Sequence, residues 1–188
     1  MQKTFKIQTT YTQESIRAVA KMTYDLFLPH VSGRMYLLAV ILIAVGVAGI
    51  AMMKPIFAVT VVLGGYMCMR AEGAARAVAE RMLAYYDGKL PTLKFDFRED
   101  DIFVVTPQES GSMQYDLFVR LAENKEYFFL FNGDKSAYSI KKTDFAAGEE
   151  GEFKTFLEDK TGLTFERGTT ILKKILAAHD HAALRKKR

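Results

Sequence analysis

The stretch that decides the fold is MYLLAVILIAVGVAGIAMMKPIFAVTVVLGGYMCM, residues 35–69. Lys54 is its only charged residue, and Pro55 follows directly. Residues 35–53 give 19 residues without a charge. A helix of that length, at ~1.5 Å per residue, covers roughly 28 Å, which is close to the hydrocarbon thickness of a bilayer. Three alternatives follow: one long buried helix, two membrane spans folded back on each other, or the core of a soluble domain.

The second half of the stretch discriminates between these alternatives. Residues 56–69 reach the length of a span only when Pro55 and Arg70-Ala71 are included; proline suits a first helical turn, and arginine can extend to the lipid headgroups. A soluble core helix would alternate apolar and polar residues with a period of about 3.6, which neither segment does. A single helix would place Lys54-Pro55 at mid-span. We therefore predict a transmembrane helical hairpin at 35–71; a very hydrophobic hairpin buried in an oligomer core stays open as the alternative.

Basic residues predict the orientation of this hairpin. The segment before it and the segment after it both carry arginines and lysines, whereas the loop holds only Lys54. The basic flanking residues are Arg17, Lys21, Arg34, Arg70, Arg76, Arg81 and Lys89. Because loops rich in Lys and Arg stay in the cytoplasm, both termini are expected there.

Small residues on each span indicate how the two helices pack, because they let backbones approach closely in lipid. The predicted packing residues are Ala44 and Ala48 on the first span and Thr60 and Gly64 on the second. A general abundance of Ala and Gly in membrane helices is the alternative explanation. Neither span contains an acidic, basic or histidine side chain, so a transport pathway through this chain alone is not expected.

The chain outside the spans shows no signature of catalysis. The 188 residues suffice for one compact domain with accessory segments, and the formal net charge is +4. A single cysteine, Cys68, excludes an intrachain disulfide and a cysteine-built metal site. His179 and His181 lie two apart, so on a helix they point away from each other. Nucleophile and phosphate-loop motifs are missing from the sequence. We predict no enzyme, no metal and no cofactor, and nothing at the N-terminus resembles a cleavable signal.

Polar segments on either side of the hairpin predict a mixed fold. Residues 1–34 contain a short strand, KTFKIQTTY, and a helix capped by Thr12 and ended by Pro29. Residues 72–90 continue the second span as a helical stalk. In residues 91–163 the period changes to two, in LKFDF, IFVVT, FVRLA, YFFLF and AYSI, before a helix at GEEGEFKTFLEDKTG. The fold class is α+β: the hairpin plus a small antiparallel β-barrel or sandwich with a C-terminal capping helix, to whose open edge the early strand could add.

Three motifs carry a family resemblance: FREDDIF at 97–103, Tyr115-Asp116 after a small-polar turn, and AYSIKKTDF at 137–145. With the order of the parts over residues 3–162, they resemble the YcxB-like family of bacterial membrane proteins. The resemblance implies a multi-pass protein of the bacterial inner membrane with a cytoplasmic domain of the pleckstrin-homology (PH) shape. It carries over no catalytic residue.

The C-terminal segment, residues 164–188, predicts a basic amphipathic tail that contacts anionic lipid headgroups. The residues assigned to this membrane surface are Lys173, Lys174, Arg185, Lys186, Lys187 and Arg188. A solvated tail, or a helix that packs on its own domain, stays open as the alternative. Nucleic-acid binding is not expected, because the basic run lacks interleaved aromatic residues.

These features together favour an integral membrane protein whose PH-like domain is a non-catalytic binding or regulatory module. The alternative is an accessory subunit of a transporter or other membrane complex, associating through the small-residue faces of its spans. The lipid bilayer and an unidentified protein are the expected partners, and a homo-oligomer stays open.

Overall fold

The structure, a computed structural model, describes residues 4–133, 136–146 and 148–186. Within these ranges the chain forms the following elements in order: β1 (Phe5–Thr10), α1 (Gln13–Phe27), α2 (Pro29–Ala51), α3 (Ala58–Arg70), α4 (Gly73–Tyr86), β2 (Thr92–Phe97), β3 (Ile102–Val105), β4 (Ser110–Met113), β5 (Arg120–Glu123), β6 (Tyr127–Phe131), β7 (Ala137–Lys141), α5 (Glu149–Thr161), β8 (Phe165–Arg167) and α6 (Ile171–Lys186). The predicted α+β class, with two apolar helices, antiparallel sheets and a C-terminal helix, is confirmed. The chain divides into two compact units: residues 4–22 with 79–168, and residues 23–78 with 169–186.

The first unit contains two four-stranded sheets, ordered β1-β2-β3-β4 and β7-β6-β5-β8. As predicted, the N-terminal strand adds to a sheet edge: β1 pairs with β2 from Phe5↔Phe97 to Thr10↔Thr92. One pairing differs from the predicted antiparallel arrangement, since β8 runs parallel to β5. The chain reaches β8 only after the long crossover through α5, and a crossover of that length permits a parallel strand.

The core of the first unit comes from the alternation of the strands. In β1 and β2 every second side chain is buried, so one face of each strand supplies the core and the other meets solvent. Helix α5 closes the core with Phe153 and Leu157, which are fully buried. The Phe153 ring contacts the rings of Phe5, Phe97, Phe128 and Phe145.

Two strands were missed by the sequence patterns. The small-polar segment before Tyr115-Asp116, which contains Ser110, Gly111 and Ser112, was predicted to be a turn. This prediction is wrong, because the segment forms β4 and pairs with β3. Glycine and serine have low strand propensity, so only the pairing partner makes this segment a strand. The second missed strand is β8, which has three residues and lies in the predicted tail.

In the second unit α2 and α3 are joined at Met52–Lys54, where Met53 adopts a positive φ of 60°. A short 3-10 turn, Pro55–Phe57, opens the return helix. Two helical stretches, Pro29–Ala51 and Pro55–Tyr86, are long and apolar enough to cross a membrane. Pro29 separates two helices as predicted, and the next helix begins at Pro29 itself, because proline fits the first helical position.

Candidate functional site

The two apolar helices pack through glycines. A Cβ atom added to Gly46 would meet the side chains of Val61 and Thr60, and one added to Gly49 would meet the Phe57 ring. On the facing helix, a Cβ on Gly64 would lie 2.9 Å from the carbonyl oxygen of Ala39. Such close approach of two backbones requires residues without side chains.

The four predicted packing residues lie in different environments on the two helices. Gly64 is buried in α3, and Thr60 is half-buried, donating to the carbonyl of Phe57 at 2.8 Å. Ala44 and Ala48 are exposed, so their assignment to the packing face is wrong. They lie on the side of α2 opposite Gly46, since two residues turn an α-helix by about 200°. The pattern Gly46-x-x-Gly49 was the signal in the sequence that identifies the true face.

Helix α6 packs on the first turns of α2. Gly33 lies so close to it that an added Cβ would clash with the backbone carbonyl of Lys174. Ala178, one turn further along α6, is fully buried. At the far end of this contact the rings of His30 and His181 stack with centroids 4.2 Å apart, and Arg34 lies 2.9 Å from Nδ1 of His181.

A buried ion-pair cluster lies in this helical unit. Lys174 is 2 % exposed, and its Nζ lies 2.6 Å from Oδ1 of Asp25 and 3.4 Å from Oε1 of Glu72. The ring of Tyr36 lies beneath the same ammonium group, 5.8 Å away. Asp25 comes from the end of α1, Tyr36 from α2, and Glu72 from the α3–α4 junction. One lysine therefore connects four segments of the second unit.

The tail residues divide between exposed and buried positions. Lys173 is exposed, as its predicted surface role requires. Lys174 is not, and its assignment to the membrane surface is wrong, because the carboxylates of Asp25 and Glu72, from other segments of the unit, hold it inside. Arg185, Lys186, Lys187 and Arg188 have side chains outside the described residues. The apolar residues Ile171, Leu172 and Leu176 face outward.

A second charged cluster lies on the β-rich unit around Glu123, at the end of β5. Its two carboxylate oxygens each accept a hydrogen bond of 2.8 Å, Oε2 from Lys142 and Oε1 from Lys154. The guanidinium of Arg167, at the end of β8, lies 3.9 Å from Oε1. Nothing in the local sequence predicted this cluster, because its members come from β5, from the segment after β7, from α5 and from β8.

The electrostatics of the cluster favour an ionised carboxylate. Burial alone would raise the pKa of Glu123, but the hydrogen bonds and charges of Lys142 and Lys154 outweigh it and lower that pKa below its ordinary value. Each lysine is also placed over an aromatic ring, Lys142 over Phe128 at 4.5 Å and Lys154 over Phe165 at 5.7 Å. Cation–π contact restricts the positions that these long side chains can adopt.

The outer face of the first sheet carries a shallow open depression of about 290 Å³. Its residues are Lys6, Ile7, Gln8, Lys94, Phe95, Asp96, Phe103 and Val105. At the rim, Arg98 pairs with Asp96 at 3.2 Å and accepts, through its backbone carbonyl, the hydroxyl of Tyr115 at 2.6 Å. Burial raises the pKa of that hydroxyl, so it stays a donor. The depression mixes cations, a carboxylate and apolar surface, and brings no nucleophile and base together.

Comparison with known protein families finds a match within the β-rich unit. Residues 97–157 match the model of the YcxB-like protein family. The resemblance predicted from FREDDIF and AYSIKKTDF is therefore confirmed over this YcxB-like segment. It runs from the end of β2 into α5 and includes Glu123, Lys142 and Lys154. No curated protein and no solved structure matches the chain.

Proposed function

We propose that this chain is an integral membrane protein whose β-rich unit is a cytoplasmic binding or regulatory module without catalysis. The observation that carries the proposal is the exposure of the two apolar helices. Only 22 % and 11 % of their most apolar windows are buried, although a core helix of a soluble protein would be mostly covered. The uncovered aliphatic side chains include Leu38, Val40, Ile41, Val45, Val47, Val59 and Val62.

The module part of the proposal rests on the first unit. Two small sheets closed by α5 are compatible with the PH-like shape that the family resemblance implied, and such shapes commonly present binding surfaces on a rigid scaffold. The charged cluster at Glu123 and the depression on the outer face of the first sheet offer two such surfaces. Their side chains suit recognition more than turnover.

Fractionation and labelling test the location and the topology separately. The full chain should sediment with membranes and require detergent for release. In a Cys68→Ser background, Lys54→Cys should react with a membrane-impermeant maleimide in spheroplasts, whereas Gln108→Cys should react only after lysis. Recovery of the detergent-free protein in the high-speed supernatant would disprove the membrane assignment, and early labelling of Gln108→Cys would disprove the orientation.

Ala44 and Ala48 favour a second candidate, an accessory subunit of a larger membrane complex. These small residues remain exposed after α2 and α3 have packed, on the side away from Gly46. Small residues on a lipid-facing surface allow another helix to approach closely. Replacing both alanines by Ile should abolish co-purification of a membrane partner in mild detergent. An unchanged yield of that partner would exclude this face of α2 as its binding surface.

Contact of α6 with the lipid surface stays part of the proposal in a narrower form. Leu172 and Leu176 are exposed next to Lys173, which combines apolar area with a cation on one helix. In the full chain reconstituted into liposomes, Leu172→Cys carrying an environment-sensitive fluorophore should show a blue-shifted emission relative to Gln108→Cys. Equal emission at the two positions would contradict lipid contact.

A further inference from the structure

We propose that the cluster formed by Lys142, Lys154 and Arg167 around Glu123 binds a phosphomonoester dianion. The inference deepens the proposed module role by naming the class of ligand, and it rests on that role.

The cluster carries more positive charge than its one carboxylate balances. One carboxylate accounts for one cation, yet two lysines and an arginine surround Glu123. Two positive charges are therefore left without a carboxylate within the cluster. A phosphomonoester carries a charge of about −1.5 to −2 near neutral pH, which matches this excess.

Both lysines of the cluster have hydrogen-bond donors beyond the one that each gives to Glu123. An ammonium group has three N–H donors, and among the described residues Lys142 and Lys154 each use one, on Glu123. Because they contact different oxygens of the same carboxylate, their two ammonium groups stay within the span that one phosphate can bridge. Both side chains keep some contact with solvent, at 16 % and 34 % exposure.

The two ammonium groups are held in position before any ligand binds. Glu123 is 10 % exposed and holds both ammonium groups in place, while Phe128 and Phe165 support them from below. A ligand that binds such fixed side chains loses less of its affinity to side-chain ordering than one that binds free surface lysines. The exposed guanidinium of Arg167 can then close on the phosphate with two parallel hydrogen bonds.

The number of cations around Glu123 supports a ligand-binding role for the cluster over a purely structural one. A structural ion pair at Glu123 needs one partner, and Lys142, the less exposed lysine, already supplies it. Lys154 and Arg167 add two further cations at the same carboxylate, and its single negative charge balances only one of the three, so a second anion would reduce the remaining repulsion. The phosphate can be carried by a lipid headgroup with a terminal phosphate or by a small soluble phosphomonoester.

Calorimetric titration of the full chain in non-ionic detergent tests the site and its source. Glycerol 3-phosphate is the soluble arm, short-chain phosphatidic acid the lipid arm, and phosphatidylglycerol of equal chain length the phosphodiester control. Saturable binding of either phosphomonoester is expected, and the arm that binds more tightly identifies the source. Absence of saturable binding in both arms, or equal binding of the phosphodiester, would overturn the proposal.

Variants assign the binding to these side chains. Lys154→Gln should weaken binding about tenfold, the equivalent of one charge-assisted hydrogen bond. Arg167→Gln, which changes a highly exposed side chain and leaves the fold intact, should weaken it about threefold. Lys89→Gln changes an exposed lysine of the same unit that lies outside both the cluster and the depression, so it is the matched control and should leave binding unchanged. An effect of Lys89→Gln as large as that of Lys154→Gln would refute the site. A soluble chain that still bound phosphate would refute only the membrane assignment.

Discussion

Replacing Lys174 by Met should destabilise the helical unit strongly. The ammonium of Lys174 is buried, and its shortest contact is the 2.6 Å ion pair with Asp25, whose side chain is 9 % exposed. Methionine keeps most of the packing volume but leaves that carboxylate in a buried position without the cation beside it. Breaking a buried ion pair on one side costs about 3–5 kcal/mol. Because Glu72 is partly exposed, we expect a value near the lower end, about 3 kcal/mol.

The assay is thermal unfolding of the detergent-solubilised full chain, followed by circular dichroism. For a chain of this size, about 3 kcal/mol lowers Tm by roughly 6–12 °C. Lys173→Met, at the exposed neighbouring position, is the matched control and should change Tm by less than about 2 °C. The double variant Lys174→Met/Asp25→Asn should recover about half of the loss, since it also removes the negative charge that Lys174 balanced. Equal Tm values for the two lysine variants would refute the buried-pair explanation.

Three further outcomes are expected in the same assay. Gly46→Ile should lower stability by about 1–3 kcal/mol by forcing the two apolar helices apart, whereas Ala44→Ile on the exposed side should be neutral, and the reverse order would contradict the packing face. Phe153→Ala should lower stability by about 3–5 kcal/mol, because it leaves a cavity in the core under α5. Phe103→Ala, on the outer face of the first sheet, is the comparison and should lower stability less. Glu123→Gln should lower stability by about 1 kcal/mol at pH 7. Because the folded-state pKa of Glu123 lies below its ordinary 4.5, this difference should shrink as the pH falls below that value; a difference that grew there would be inconsistent with a depressed pKa.

Local patterns were sufficient to predict the elements whose own side chains determine them. The alternation in β1 and β2 marked their buried faces, and Thr12 marked the start of α1, where its hydroxyl accepts from Ser15 N at 3.1 Å and its N–H donates to the Ser15 hydroxyl at 2.9 Å. Gly162, in the left-handed region at φ 66°, ends α5 as predicted. Each of these signals lies within a few residues of the feature that it predicts.

The features that were missed depend on partners far away in the chain. Strand β4 has a sequence typical of a turn and becomes a strand only beside β3. Lys174 lies on a helix among exposed neighbours, and Asp25 from α1 and Glu72 from the α3–α4 junction make its burial favourable. The cluster at Glu123 likewise assembles from four separate elements. Such sites are properties of the tertiary fold, and no window of sequence contains them.

The backbone hydrogen bonds between β1 and β2 also restrict how the chain can cross a bilayer. Two strands that share backbone hydrogen bonds along their whole length must occupy the same aqueous compartment, yet both apolar helices lie between Thr10 and Thr92. Any path between those residues therefore crosses a bilayer an even number of times, so the two helices insert together or not at all. During synthesis β1 is made before β2, so the two strands can pair only after both intervening helices have been made and inserted. If one helix inserted alone, β1 and β2 would lie on opposite sides of the membrane. The first sheet would then form without β1, so an error of topology would produce an incomplete sheet.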